Sequence, residues 1–295
     1  MKKVVKFGGS SLAGVERVRC AARLIADTVR AGHSVAAVLS AQGKTTDALL
    51  STAAHYSRSP SKRELDMLLS AGEQMSAALG AMTLRSIGVE AVSLCAWQIP
   101  IETDGTHGNA EIELIDTARI RKELAEGYVV VAAGFQGVDE RGDITTLGRG
   151  GSDTSAVALA AALKAAELVI YTDVDGIFSS DPRICQNAVR REVISYDDML
   201  LLAQKGAQVL HDRSVALAQA GGVALLSMPE FKGKTAVYTG IDKAKFRAMA
   251  KPGDTLRLEV HFTKRRGPMA VAEGVAWVGD QKAAEAEIKC MVIMD

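Results

Sequence analysis

Two hydrophobic patterns divide the chain. Up to about residue 240, short unbroken apolar runs alternate with longer stretches in which apolar residues recur every three or four positions; beyond it, apolar and polar residues alternate one by one. An unbroken run bounded by turn residues marks a strand buried on both faces, and the three-to-four spacing marks a helix with one buried side. Strands are therefore predicted at Val4-Val5-Lys6-Phe7, at Ser34-Val35-Ala36-Ala37-Val38-Leu39, at Val129-Val130-Val131-Ala132-Ala133, at Leu168-Val169-Ile170-Tyr171 and over residues 223–226. Helices are predicted from Val15, Val18, Ala22, Ile25 and Val29, over residues 154–166, and over residues 199–203. Another follows the capping box Ser61-Lys62-Arg63-Glu64, with Leu65, Leu68, Leu69, Gly72, Met75, Leu79 and Met82 on one face and Glu73 at its border. Strand, turn, helix in repetition is an α/β arrangement with a parallel sheet. The alternation of Leu256, Leu258, Val260 and Phe262, repeated loosely near residues 270–278 and 288–294, predicts a small β-rich appendage, with Lys264-Arg265-Arg266 as a solvated hairpin tip.

The strands end in turns rich in glycine and hydroxyls, and in parallel α/β sheets ligands collect at those carboxyl ends. Lys6 runs into Gly8-Gly9-Ser10-Ser11, where it can reach a phosphate or simply be a solvated charge. Residues 145–154 (Thr145-Thr146-Leu147-Gly148-Arg149-Gly150-Gly151-Ser152-Asp153-Thr154) hold three glycines, a guanidinium and a carboxylate ahead of an alanine-rich helix. A glycine-lined helix start favours an anion, Arg149 can grip a carboxylate or phosphate through two parallel bonds, and Asp153 can hold an ammonium. The set suits a zwitterion such as a free amino acid; the alternative is a glycine turn capped by Ser152. Asp173, Asp175 and Asp181 with Arg183 crowd one loop, either as turn formers or as a nucleotide site taking sugar hydroxyls, Mg²⁺ and phosphate. Glu73 is either a carboxylate looking into a cleft or a surface ion-pair partner, and His107 reads as a hydrogen-bonded loop residue.

Composition narrows the classes. Lys plus Arg and Asp plus Glu are both 35, and aromatics are 4%, which argues against nucleic-acid or membrane-surface binding. No apolar run reaches the length of a membrane span, and the basic start lacks the apolar core of a signal peptide, so a cytoplasmic protein is expected. Cys20, Cys95, Cys185 and Cys290 share no metal-type spacing and read as reduced thiols. Gly43-Lys44-Thr45 and Gly233-Lys234-Thr235 resemble the tail of a P-loop, but Val38 and Met228 stand where its first glycine is required, and no G-x-G-x-x-G spacing occurs.

In this order the motifs resemble those of the aspartate kinases of the amino-acid kinase superfamily: Lys6-Phe7-Gly8-Gly9-Ser10-Ser11, residues 40–47, Gly72-Glu73-Gln74, His107-Gly108-Asn109, Gly134-Phe135-Gln136-Gly137, residues 145–154, 172–183 and 206–211. The resemblance covers about residues 2–240. It implies a three-layer sandwich around a mainly parallel central sheet, a catalytic domain over 1–240 (substrate lobe about 1–147, nucleotide lobe 148–240) and a tail at 241–295. It also implies transfer of the ATP γ-phosphoryl group to the β-carboxylate of L-aspartate, with Mg²⁺ bridging phosphates and held by no direct protein ligand, in a cytoplasmic homodimer serving lysine, threonine and methionine biosynthesis.

By the same resemblance, Lys6, Gly8, Gly9 and Ser11 hold the transferring group. Arg149, Ser152, Asp153, Glu73 and Thr46 hold aspartate, Lys6 and Asp153 being catalytic. Thr172, Asp173, Asp181 and Arg183 hold the nucleotide. The chain departs from the family pattern at Gln208, where many members have lysine, and at Asp212, where proline is common. Residues 241–295 are too few for the two ACT regulatory modules that members usually carry, so the tail is expected to be truncated or divergent. Two alternatives stand beside the kinase reading: a kinase-like regulatory or binding subunit, and a kinase for another small carboxylate.

Overall fold

The apolar runs form the strands expected of them. In chain order the elements are β1 (Lys2–Phe7), α1 (Val15–Arg30), β2 (Ser34–Leu39), α2 (Thr45–Tyr56), α3 (Lys62–Ser86), β3 (Ala91–Leu94), β4 (Ile101–Thr103), β5 (Ile112–Ile115), α4 (Ala118–Ala125), β6 (Val129–Ala133), β7 (Gln136–Val138), β8 (Ile144–Thr146), α5 (Gly151–Leu163) and β9 (Glu167–Tyr171). The short β10 (Ile177–Phe178), β11 (Arg190–Arg191) and α6 (Tyr196–Gln204) follow, then β12 (Thr235–Phe246), β13 (Leu256–Arg266), β14 (Met269–Val278) and β15 (Gln281–Ile293). This computed structural model describes residues 1–173, 176–178, 187–191, 194–204, 215–216, 235–246, 256–266, 269–278 and 281–293. Asp175, Asp181, Arg183, Gln208, Asp212 and the strand expected at 223–226 lie outside the described residues.

β3, β6, β2, β1 and β9, in that spatial order, make one wholly parallel sheet. Side chains alternate across a strand with period two, so each run supplies both faces at once. Val5, Phe7, Ala37, Leu39, Val131 and Ala133 pack on one face against Val18, Ala22 and Ile25 of α1 and Ala77, Ala81 and Leu84 of α3. Val4, Ala36, Val38, Val130 and Ala132 pack on the other against Ile120 and Leu124 of α4 and Ala156, Leu159 and Leu163 of α5. Full burial of each Val, Leu or Ile in these two layers contributes about 1.5–3 kcal/mol. The three-layer α/β architecture expected from the sequence is thus present. A second, smaller sheet in the order β5-β4-β7-β8 includes the β7–β8 hairpin, whose tip is formed by residues 139–143.

The structure adds β3, β4, β5 and α4, which the apolar pattern did not predict, and differs from the sequence reading at three of the predicted elements. On α3 the buried face is Asp66, Leu69, Gly72, Glu73, Ser76, Ala77, Gly80, Ala81 and Leu84, whereas Met75, Leu79 and Met82 are exposed. The helix lies so close to the sheet that a Cβ on Gly72 would stand 2.8 Å from Ala41 Cβ, and one on Gly80 2.7 Å from Leu39 Cδ1. Only small side chains fit there, so the large apolar ones turn outward. α5 begins at Gly151 and ends at Leu163, because Lys164 takes a left-handed conformation (φ 52°). The β-rich segment begins at Thr235, and the chain divides into two compact units, Met1–Ala218 and Gln219–Asp295. β12 pairs with β15 through two register shifts, which break the strict alternation that would have marked it in the sequence.

The second unit contains a four-stranded antiparallel sheet, β12-β15-β14-β13, in which Arg266 at the end of β13 pairs with Met269 at the start of β14. Ser61 caps α3 by accepting from Glu64 N at 3.3 Å, but the Glu64 carboxylate bonds Arg63 instead of closing the box. Cys20 is exposed and Cys95 half-buried, both as free thiols. No helix among the described residues is long and apolar enough to cross a membrane.

Candidate active site

Period two on β1 decides where Lys6 points. Val5 and Phe7 face α1 and α3, so Lys6 shares the opposite face with Val4, toward α5. There Lys6 Nζ meets Asp153 Oδ1 at 2.6 Å, and both side chains are largely buried. The contact is an ion pair without an aligned hydrogen bond, since Asp153 Oδ1 has no hydrogen-bond partner among the described residues. Removing two charges from water costs several kcal/mol per ion, so such a pair persists only where each charge answers the other. Asp153 also sits in the first turn of α5, where the helix dipole favours a carboxylate.

Lys6 and Asp153 open onto a cavity of about 590 Å³ within the first unit. Thr46 from the start of α2, Ser40 after β2, Phe135 after β6, and Arg149 and Ser152 around the start of α5 line it as well. The structure therefore brings together Lys6, Thr46, Arg149, Ser152 and Asp153. Arg149 is exposed and makes no ion pair or hydrogen bond among the described residues. It is flanked by Gly148 (φ +74°) and Gly150 (φ +69°), two left-handed positions at which glycine carries no steric penalty. The cap of α5 is Gly150 and makes no side-chain bond, which removes the simple reading of a turn capped by Ser152. The amides of Gly151 and Asp153 are used within the turn, donating to Gly148 O and Gly150 O, so Arg149 is the main anion-seeking group at this end.

Gly8 and Gly9 leave β1 beside the cavity. Gly8 N donates to Tyr171 O of β9, and Gly9 O accepts from Gly43 N at 2.8 Å. A Cβ on Gly9 would stand 2.6 Å from Ala41 O, so the two turns can close only over glycine. Ser11 follows, half-buried. Thr172 and Asp173 are exposed immediately after β9, the neighbour of β1 in the sheet, with Phe7 and Tyr171 stacked at 4.5 Å between the two strand ends.

Glu73 is 3% exposed and lies behind the loop after β2, where its Oε1 accepts from Ala41 N at 2.9 Å while Oε2 has no hydrogen-bond partner among the described residues. It is absent from the cavity wall. Burial pushes its carboxyl up to about 7, against the partial offset of the Ala41 bond. Asp181 and Arg183 lie outside the described residues.

The sequence reading overlooked Asp66, which lines the cavity from α3 and is 1% exposed. It accepts from His107, so that histidine is the hydrogen-bonded loop residue the sequence suggested. The overlooked signal was a carboxylate in phase with Leu69, Glu73, Ala77 and Leu84 on the buried stripe. Phe135 was also missed: its φ of 69° is rare for a bulky residue and costs of order 1–3 kcal/mol. Its N–H donates to Ser155 Oγ and its carbonyl accepts from Leu147 N, which hold it there.

A parallel α/β sheet with a buried lysine at one strand end, in one cavity with a glycine-flanked arginine at a helix start, suits a small ligand that carries anionic groups. The chain belongs to the amino acid kinase family, whose model matches residues 1–226. Aspartokinase of Geobacillus stearothermophilus is 56% identical over 216 residues, 73% of this chain and 53% of that protein. Aspartokinase 2 of Bacillus subtilis is 52% identical over 216 residues, 73% of this chain and 53% of that protein. The solved aspartate kinase from Synechocystis superposes with a TM-score of 0.66 at 34% identity, covering 98% of this chain and 52% of that one. The chain spans about half the length of these relatives. A second family model, of the FabA-like domain, matches residues 215–287.

Proposed function

We propose that the protein is an aspartate kinase that transfers the γ-phosphoryl group of Mg-ATP to the β-carboxylate of L-aspartate, giving 4-phospho-L-aspartate and ADP. The observation that carries this reading is a single cavity with buried Lys6, held by Asp153, at one end and Arg149, unpartnered among the described residues, at the other. A ligand with phosphate at the first and a carboxylate at the second satisfies both charges. Identity of 52–56% to proteins named aspartokinase supports aspartate as the amino acid.

In this mechanism Arg149 grips the α-carboxylate through two parallel bonds, with Thr46 and Ser152 beside it. Asp153 lies on the ammonium side, and Glu73 adds negative charge behind the loop. One oxygen of the β-carboxylate attacks the γ-phosphorus, the new O–P bond forms, and the bond to the bridging oxygen breaks, ADP leaving with its electron pair. No proton moves, because a carboxylate with a pKa near about 4 is already ionised. Alignment and charge neutralisation then supply the catalysis, and Lys6 is the group placed to neutralise the transferring phosphoryl. Gly8, Gly9 and Ser11 shape the turn beneath it, and Thr172, Asp173, Asp181 and Arg183 take the nucleotide. Mg²⁺ arrives as part of the Mg-ATP substrate, carried on phosphate oxygens and water.

The reading further assigns residues 1–147 to the amino-acid side and 148–240 to the nucleotide side. It makes the protein a cytoplasmic homodimer in the biosynthesis of lysine, threonine and methionine. Coupled ADP release with Mg-ATP and L-aspartate, with hydroxylamine trapping the acyl phosphate, is the test. Trapped product above a Lys6→Ala control is expected, and its absence sinks the proposal. Glutamate and N-acetylglutamate in the same assay define the acceptor, since Asp153 and Glu73 penalise a substrate without a free ammonium.

A further inference from the structure

Four donors converge on the Asp66 carboxylate. Oδ1 accepts from Thr146 Oγ1 at 2.6 Å, and Oδ2 accepts from Gly108 N at 2.9 Å, His107 Nδ1 at 3.0 Å and Thr146 N at 3.1 Å. A carboxylate offers about four lone-pair sites, so this one has little left for a substrate although it borders the cavity. Its bonds join three segments distant in sequence: α3, the 106–110 loop and the end of β8. Ala110 N donates to Thr146 O at 2.9 Å, tying the loop to the strand a second time. Thr146 leads within three residues to Arg149. The 106–110 loop also walls in Gly148, where a Cβ would stand 2.7 Å from Asn109 Oδ1. One turn earlier on α3, Arg63 pairs with Asp143 at 2.6 Å, so the same helix holds the β7–β8 hairpin at its tip and at its base.

We propose that Asp66 is a positioning residue for the amino-acid end of the cavity: by fastening the 106–110 loop and Thr146 to α3 it fixes the turn that presents Arg149. This rests on the kinase reading for its substrate, but the geometric claim concerns the turn itself. Asp66 touches no reacting atom. Its loss loosens the 147–150 turn and leaves Lys6 and Asp153, on β1 and α5, in place.

The test compares wild type with Asp66→Asn, which keeps the shape but turns an NH₂ toward N–H donors, and with the milder Thr146→Val, which removes only the hydroxyl bond. Hydrogen exchange of the ligand-free proteins is expected to quicken at least tenfold in residues 106–110 and 147–150 in Asp66→Asn, less in Thr146→Val, and to stay unchanged in β1. In steady-state assays KM for aspartate rises about tenfold or more while KM for ATP stays within about twofold, whereas a merely structural role lowers Tm and leaves the ratio of the two KM values unmoved. Exchange in 147–150 matching wild type in a folded variant overturns the proposal, as does an equal rise in both KM values. If Asp66→Asn does not fold, the same criteria apply to Thr146→Val. If wild type forms no acyl phosphate, the functional reading fails separately, and exchange alone decides the role of Asp66.

Discussion

The two ends of the cavity each hold a positive charge, in opposite states. At the β1 end Lys6 is 8% exposed and neutralised by Asp153, with Gly9 wedged against Ala41 O. At the α5 end Arg149 is exposed and unpartnered among the described residues, on a turn of two left-handed glycines. The first end is organised before any ligand arrives. The second presents a charge that only a ligand completes. A preorganised group lowers the barrier to chemistry because it needs no rearrangement in the transition state, whereas a group ordered by substrate contributes mainly to binding and alignment.

Replacing Lys6 gives the largest expected effect. Lys6→Ala removes the charge proposed to face the phosphoryl group and leaves Asp153 buried without its partner. A loss on the order of 10³-fold in kcat is expected, together with about 3–5 kcal/mol of stability, the range for breaking a buried pair from one side. Single-turnover phosphorylation and urea unfolding measure the two. A variant that unfolds like wild type would mean that the pair is not the preorganised element described above. Arg149→Ala comes next, at roughly 10²-fold in kcat/KM, carried chiefly by KM for aspartate and with stability unchanged. Arg149→Lys keeps the charge but loses the fork, so it should recover only part of that loss. If Arg149→Ala instead lowers kcat alone, the division between a prepared end and a ligand-completed end is wrong.

This contrast was only half legible in the sequence. Strands buried on both faces announce themselves as unbroken apolar runs, so β1, β2, β6 and β9 and the turns at their ends could be read directly, whereas β3, the short edge strand Ala91-Val92-Ser93-Leu94, carries too brief a run to be predicted. Lys6 and Asp153 could each be singled out, but their ion pair depends on β1 docking against α5, which no local pattern encodes. On α3 the usual equation of large apolar residues with the core fails. Gly72 and Gly80 bring the helix to the sheet, and Met75, Leu79 and Met82 are pushed to the surface. Asp66 escaped notice for a related reason: a carboxylate inside an apolar stripe reads as a border residue until the backbone N–H groups of Gly108 and Thr146 are seen to converge on it.

The smallest effect tests the loop that joins the two ends. Glu73 supports Ala41 from behind, and Ala41 O in turn abuts Gly9, while Thr46 of the same segment reaches the cavity. Burial raises its carboxyl from 4.5 to about 7, so the native state holds this proton more tightly than the unfolded chain does. The resulting stability is complete below about pH 4.5 and is lost as pH rises through 7. Between about pH 6 and 8 the loss should be on the order of 1 kcal/mol, read as the difference in urea midpoints between wild type and Glu73→Gln, which lacks the proton. Parallel midpoints across that interval would show that Glu73 does not titrate as its burial requires. Saturating L-aspartate should flatten the wild-type slope, because an ammonium nearby favours the ionised carboxylate. A slope that survives aspartate would place the ammonium with Asp153 alone, and would leave Glu73 as a support of the loop and nothing more.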